Sequence, residues 1–262
     1  MKVSAQQTRR LLEEYGIFAS KKYGQNFLVD NNVISLIANS VEKTETIVEI
    51  GPGLGYLTDE LADICEKLVA YEIDEKLLEP LRDNLKSHDN ITVVNRDFLK
   101  ADLSGIEGRF SLVSNLPYYI TSDILIKLLC ESERIDEIVV MMQKEVADKI
   151  LHLSEVSPLT VLCHHVCDIT QVTTVSKNCY YPKPEVDSSV LKMKVRETGN
   201  TKEFYKFLTA CFRQKRKKLL TNLKDWGVTA ETLREAGLSE EVRSEQLRPE
   251  DFYRLYELTT GC

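Results

Sequence analysis

The apolar run from Ile47 to Ile50 leads straight into Gly51, Pro52, Gly53, Leu54 and Gly55, then into a segment whose stripe of Leu57, Leu61 and Ile64 has helical spacing. A strand, a glycine-rich turn and a helix in that order open the parallel α/β sheets that bind nucleotide cofactors. Glycine serves there because the backbone takes φ > 0 or comes close to a ligand. The spacing departs from the dinucleotide fingerprint. Tyr56 follows Gly55, no third glycine stands at the G-x-G-x-x-G position, and Glu49 precedes the turn by two residues. Such an arrangement suits a ligand without a pyrophosphate.

The unit then repeats along the chain. A second strand, Leu68 to Ile73, carries Glu72 at its end, 21 residues beyond Gly51, where a carboxylate is placed to accept both hydroxyls of a ribose. Asp74 reads as the N-cap of the following helix through Leu77, Leu78, Leu81 and Leu85. A third strand, Ile91 to Val94, leads to Arg96, Asp97 and Phe98, an acid and an aromatic able to hold an adenine through its amino group and its ring. The fourth, Phe110 to Ser114, ends in Asn115, Leu116, Pro117 and Tyr118, and Pro117 forces the chain out of the sheet. Taken alone, that corner has the composition of an ordinary turn as much as of a site. A helix from Ser122 to Leu129 and a fifth strand from Glu137 to Met142 complete four βα units, which predict a doubly wound sheet. Its strand ends would line up a glycine turn, a ribose acid, an adenine acid and the Asn115 corner. A cofactor with adenosine but no phosphates is implied, and S-adenosylmethionine fits.

On the flanks, a helix is expected from Ala5 to Tyr15 with Gly16 as its stop, then a loop, KKYGQNFLVD at 21–30, ending in Asp30 as the N-cap of another helix. The stretches Leu159 to Val175 and Ser189 to Val195 read as strands forming an antiparallel edge to the sheet, with YYPKPEVDSS between them. Strand alternation there would split Cys163, His164, His165 and Cys167 between two faces, so no metal site is expected. Beyond Gly199 the pattern is helical, with the basic run RQKRKK at 213–218 beside an apolar stripe. Two domains are expected: a catalytic α/β domain over residues 1–198, with a basic extension at 1–24, and a small all-α domain over 199–262.

No apolar run approaches the length of a membrane span, no signal peptide is evident at the start, and seven scattered cysteines suit reduced thiols. A cytoplasmic protein, with monomer as the default, is the expectation. The net charge of −7 speaks against a nucleic-acid partner only on average: residues 1–24 carry +3 and residues 202–224 carry +7. A basic face at the two chain ends is able to meet phosphates, although a solvated helix face has the same composition.

The series GQNFLVD, VEIGPGLG, YEID, NRDF, SNLPYYIT, MMQKEVADKI and YPKPEVDSS resembles the ribosomal RNA adenine N6-dimethyltransferases of the KsgA type, in order and over most of the chain. The stretch CFRQKRKKLLTNL resembles that family's basic helix. The resemblance implies a Rossmann-like methyltransferase sheet and S-adenosylmethionine as cofactor. It places Asn26 and Leu28 on the methionine end with Gly51 under it, Glu72 on the ribose, Asp97 on the adenine and Asn115 between cofactor and target, with Gly53 and Phe98 also among the cofactor-binding residues. Asn115, Leu116, Pro117 and Tyr118 would be the catalytic corner, with Tyr118 and Tyr180 stacking on an extruded adenine. Lys21, Lys22, Arg213, Lys215, Arg216, Lys217 and Lys218 would bind RNA. The implied substrate is a pair of adjacent adenosines in the 3′-terminal hairpin of small-subunit (16S) rRNA, within an immature 30S subunit; no metal is implied. Two rivals stay open: the antibiotic-resistance branch that dimethylates large-subunit (23S) rRNA, and a non-catalytic RNA-binding assembly factor. One departure stands out. The family's Tyr-Gly pair after the QKEV helix is absent, and LHLSEVSPLTV at 151–161 is shortened there.

Overall fold

Ile47, Val48, Glu49 and Ile50 are all buried, as the central strand of a parallel sheet is when helices cover both faces of that sheet. They lie in a computed structural model that describes residues 3–261. In chain order the elements are α1 (Ala5–Glu14), β1 (Phe27–Leu28), α2 (Asn31–Ser40), β2 (Thr44–Ile50), α3 (Tyr56–Ala62), β3 (Cys65–Glu72), α4 (Leu78–Leu85), β4 (Ile91–Asn95), β5 (Phe110–Asn115) and α5 (Thr121–Cys130). They continue with β6 (Ile135–Gln143), α6 (Lys144–His152), α7 (Pro158–Val166), β7 (Cys167–Val175), β8 (Tyr180–Tyr181), β9 (Ser188–Val195), α8 (Thr201–Cys211), α9 (Leu219–Asn222), α10 (Ala230–Glu235) and α11 (Pro249–Thr260).

The chain divides into two compact units, Met1–Ile124 with Arg134–Ala147 and Thr170–Val195, and Leu125–Glu133 with Asp148–Ile169 and Arg196–Cys262. The first unit is organised by a seven-stranded sheet of order β4-β3-β2-β5-β6-β9-β7. From β4 to β6 the pairs are parallel, and β9 lies antiparallel to β6. The chain runs outward from β2 through β3 to β4, then returns to β5 on the other side of β2. That reversal opens a crevice at the carboxyl ends of β2 and β5, where ligands bind in sheets of this kind.

A second, two-stranded sheet pairs Phe27 with Tyr181 and Leu28 with Tyr180. The N-terminal segment reaches it along a series of hydrogen bonds. The Asn31 side chain bonds the Val3 backbone, the Thr8 and Tyr56 hydroxyls are 3.1 Å apart, and Gln25 Nε2 donates to Asp74 Oδ2 at 2.7 Å. Asp30 caps α2, accepting from Asn32 and Val33, and Asp74 caps the 3-10 turn that leads into α4.

The second unit packs Phe204, Phe207 and Cys211 of α8 on Phe252, Leu255 and Tyr256 of α11, all buried. Ring pairs at 5.3 Å (Phe204–Tyr256) and 5.5 Å (Phe207–Tyr256) tie the two helices together.

Two expectations are corrected. Leu159 to Val166 is not strand but helix α7. Ser157 caps it in a capping box with Thr160 and Pro158 occupies its first turn, signals that outweigh the β-branched residues behind them. The tract from Cys163 to Cys167 therefore sits at a helix end, with His164 Nε2 2.6 Å from the Ile150 carbonyl and the His165 ring 4.2 Å from that of Tyr253. Burial lowers His165 to about 4. Second, residues 213–218 form exposed turns between α8 and α9 instead of a helix. Asn222, itself buried, donates to the carbonyls of Cys211 (2.7 Å) and Gln214 (3.2 Å), which closes the end of α8, and the crowded cations beyond it gain nothing from a helical spacing. Among the described residues no helix is long and apolar enough to cross a membrane.

Candidate active site

Sheet register places the functional residues side by side. Ile50 pairs with Ser114, so Gly51 and Asn115 leave the sheet together, and Ser114 Oγ donates to the Ile50 carbonyl at 2.6 Å. On the other side of β2, Ile50 pairs with Tyr71, one residue before Glu72, and Glu72 pairs with Asn95, two residues before Asp97. Asp97, Glu72, Gly51 and Asn115 therefore stand in that spatial order along one sheet edge.

Gly51 and Gly53 have φ of 67° and 59°, the left-handed region that favours glycine. The Gly53 N–H donates to Glu72 Oε2 at 3.1 Å, and the Asp74 N–H donates to Glu72 Oε1 at 2.8 Å. Each carboxylate oxygen keeps lone-pair capacity for a further donor, as a ribose diol requires. Burial pushes the Glu72 carboxyl up to about 7, partly offset by those backbone donors. Asp97 Oδ1 accepts from the Leu99 N–H at 3.0 Å, and Phe98 is buried edge-on against Tyr71, with ring centroids 5.4 Å apart.

At the corner, Leu116 N–H donates to the Met141 carbonyl at 2.9 Å, which carries the β5–β6 ladder one residue past the strand. Pro117, with no N–H, stops it. The Pro117 carbonyl accepts from Ile120 N–H and Thr121 Oγ1, both at 3.2 Å, and so sets the turn Tyr118–Ile120. Asn115 Nδ2 donates to the Asn26 carbonyl at 3.2 Å, and the Tyr118 hydroxyl lies 2.7 Å from Ser188 Oγ.

Asn26, Leu28, Gly51, Gly53, Glu72, Asp97, Phe98, Asn115, Leu116, Pro117 and Tyr118 all line one cavity of about 230 Å³. Tyr180 does not. It is 4% exposed, paired with Leu28, and its hydroxyl donates to Met141 Sδ at 2.9 Å. The expected second stacking face is thus corrected: the β1–β8 pairing, which has no local signal in two residues of each strand, holds this ring in the core. Lys22 is exposed, and the Lys21 side chain lies outside the described residues. In the other unit Arg213 pairs with Asp225 (2.9 Å) and Lys218 with Glu241 (2.6 Å), while Lys215, Arg216 and Lys217 are exposed with no partner among the described residues.

Glu49 was not among the residues expected at the site from sequence. It is 2% exposed, lines the cavity, and its Oε2 has no hydrogen-bond partner among the described residues. Burial, with the neighbouring Glu72 charge adding to it, pushes this carboxyl up to about 8. A second missed residue is Gln25, which ties the cavity wall to Asp74. The signal for both was their place within motifs, one residue into VEIGPGLG and GQNFLVD.

An orphaned buried carboxyl oxygen fits a cationic ligand, and the Glu72 and Asp97 carboxylates fit an adenosine. Fold and cavity together suit an adenosine-bearing, cationic cofactor without phosphates, as S-adenosylmethionine is. Comparison with known proteins narrows the class. Residues 18–260 match the family described as ribosomal RNA adenine dimethylase. The chain is 38% identical to ribosomal RNA small subunit methyltransferase A of Bacillus pumilus (strain SAFR-032), covering 95% of this chain and 94% of that one. It is 37% identical to the protein of the same name from Staphylococcus epidermidis, with coverages of 95% and 93%. Among solved structures, the 23S rRNA methyltransferase ErmE superposes with a TM-score of 0.70 at 31% identity, over 89% of this chain and 99% of that one. A dimethyladenosine transferase from Plasmodium falciparum gives 0.74 at 25% identity, over 87% and 95%. The chain belongs to the ribosomal RNA adenine dimethylase family.

Proposed function

We propose that this protein dimethylates N6 of two adjacent adenosines in the 3′-terminal hairpin of 16S rRNA, acting as a cytoplasmic monomer on the immature 30S subunit. The observation that carries the reading is the Asn115 amide. Its nitrogen is committed to the Asn26 carbonyl, so its oxygen is left as the acceptor at the cavity. Adenine N6 is a poor nucleophile because its lone pair is delocalised into the ring, and a general base has little to remove before attack. An acceptor pair is what helps: Asn115 Oδ1 and the Leu116 carbonyl hold the two amino hydrogens and aim the lone pair. The Leu116 N–H on Met141 and the Pro117 ring behind it keep that carbonyl in place. The Tyr118 ring, its hydroxyl held by Ser188, supplies a face for a base that has left its stack. S-adenosylmethionine supplies the electrophilic methyl when bound, with Glu72 and Asp97 holding its adenosine and Glu49 answering its positive charge. Lys215, Arg216 and Lys217 supply phosphate contacts.

Asn115→Ala is expected to keep cofactor affinity within a few-fold while losing about 100-fold or more in turnover, the scale of a deleted transition-state acceptor; unchanged turnover refutes its role. Labelled methyl donor offered with immature small subunits and with large-subunit RNA tests the substrate. The relatives named small subunit methyltransferase A favour the former, and transfer to large-subunit RNA alone overturns it.

A further inference from the structure

Tyr118 and Tyr119 follow one another in the turn after Pro117, but they are used differently. Tyr118 is half-buried and its hydroxyl is engaged by Ser188. Tyr119 also lines the cavity, yet it is 54% exposed and its hydroxyl has no partner among the described residues. Its ring packs on Gly24: a Cβ built there lies 3.4 Å from Tyr119 Cδ1. Beside Gly24, Tyr23 lines the same cavity and carries the Lys22 ammonium 4.9 Å from its ring centroid. Two tyrosine rings and an exposed cation therefore share the mouth of the cavity, outside the catalytic corner.

We propose that Tyr119, with Tyr23 and Lys22, forms a second aromatic site at the cavity mouth that stacks a nucleotide flanking the target adenosine. The proposal rests on the function argued above and adds to it how the neighbouring base is held. Extruding one adenine from a hairpin takes away a stacking partner from the base next to it, and the exposed face of that base is left at the mouth of the pocket. An aromatic ring placed there replaces the missing stack, and a cation beside it meets the adjoining phosphate, the combination used wherever single-stranded nucleic acid is held without base-edge readout. Gly24 is part of the device: its φ of 57° lies in the left-handed region that favours glycine, and the turn so made brings the backbone against the Tyr119 ring at van der Waals distance.

The test uses the full-length protein as wild type, Tyr119→Phe and Tyr119→Ala. Affinity for S-adenosylhomocysteine is measured by calorimetry, KM with immature small subunits, and fluorescence with a hairpin RNA carrying 2-aminopurine at each position flanking the target in turn. Wild type and Tyr119→Phe are expected to quench the probe at one flanking position, and Tyr119→Ala to lose that quenching. The alanine variant is also expected to raise KM by about 5- to 150-fold, the range for removing one base stack, with S-adenosylhomocysteine affinity unchanged. A drop in that affinity as large as the change in KM makes the ring a cover for the cofactor and overturns the proposal, as does retained quenching in the alanine variant. If wild type transfers methyl to no RNA, the function proposed above fails instead, and the position-specific quenching still decides whether the mouth stacks a base.

Discussion

Glu49 and Glu72 stand at the ends of adjacent strands, nearly fully buried, and each is harder to ionise than a carboxyl in water. Their folded values, about 8 and about 7, lie above the ordinary glutamate value. The folded state therefore holds protons that the unfolded chain has already released, and the stability these groups contribute below about pH 4.5 is lost as pH rises through the folded values. The ligand-free protein is expected to lose thermal stability steadily from about pH 5 to pH 8, and Glu49→Gln to flatten the upper part of that slope. Thermal unfolding across the range checks it, and parallel profiles for the two proteins refute the role given to Glu49. The place of Glu72 at the cavity is legible in the sequence because it ends a strand, 21 residues past the glycine turn. Glu49 was not, because a single acid within an apolar strand does not reveal whether its side chain has a partner.

Helix α4 meets the glycine turn at Gly55, whose φ is 83° and whose missing Cβ would lie 2.8 Å from Leu81 Cδ1 and 3.1 Å from Leu85 Cγ. Both leucines are buried. Gly55→Ala is expected to destabilise the protein by about 1 to 3 kcal/mol through overpacking, with the strained φ adding to it. Denaturant midpoints measure the loss, and a wild-type midpoint would mean that α4 moves aside without cost. The βα elements were legible in the chain because each begins with a short apolar run and ends at a glycine, an acid or a proline. Residues 159–166 read as strand in the sequence because Val161 and Val166 satisfy a β pattern as well as a helical one, and only the Ser157 cap with Pro158 distinguishes them. The exposed turns at 213–218 were read as helix for a related reason: Lys and Arg have good helix propensity, whereas the Asn222 side chain that closes the preceding helix comes eight or more residues later.

Across the whole molecule, an acidic protein keeps a concentrated basic segment. Lys215, Arg216 and Lys217 are exposed and unpaired among the described residues, whereas Arg213 and Lys218 flank them in ion pairs. Replacing these three by alanine is expected to weaken RNA binding nearly uniformly across sequences and to reduce the salt-dependence slope by about 2 to 3, one counterion for each phosphate no longer neutralised. Binding isotherms at several salt concentrations read the slope, and an unaltered slope removes these residues from the interface. S-adenosylmethionine affinity is expected to stay as it is, since none of the three lines the cavity.

The order of strand ends, the glycine turn and the Asn115 corner were determined by sequence alone, because each depends on local backbone chemistry: φ > 0 at glycine, the missing N–H of proline, a cap before a helix. Tertiary structure decided what those residues do for one another. The β2–β5 pairing brought Gly51 beside Asn115, the Asn26 carbonyl committed the Asn115 amide nitrogen, and the two-residue β1–β8 pairing drew Tyr180 into the core while Tyr119 stayed exposed at the mouth. These interactions join residues far apart in the chain, and their partners are chosen by sheet register and burial, which no local pattern encodes.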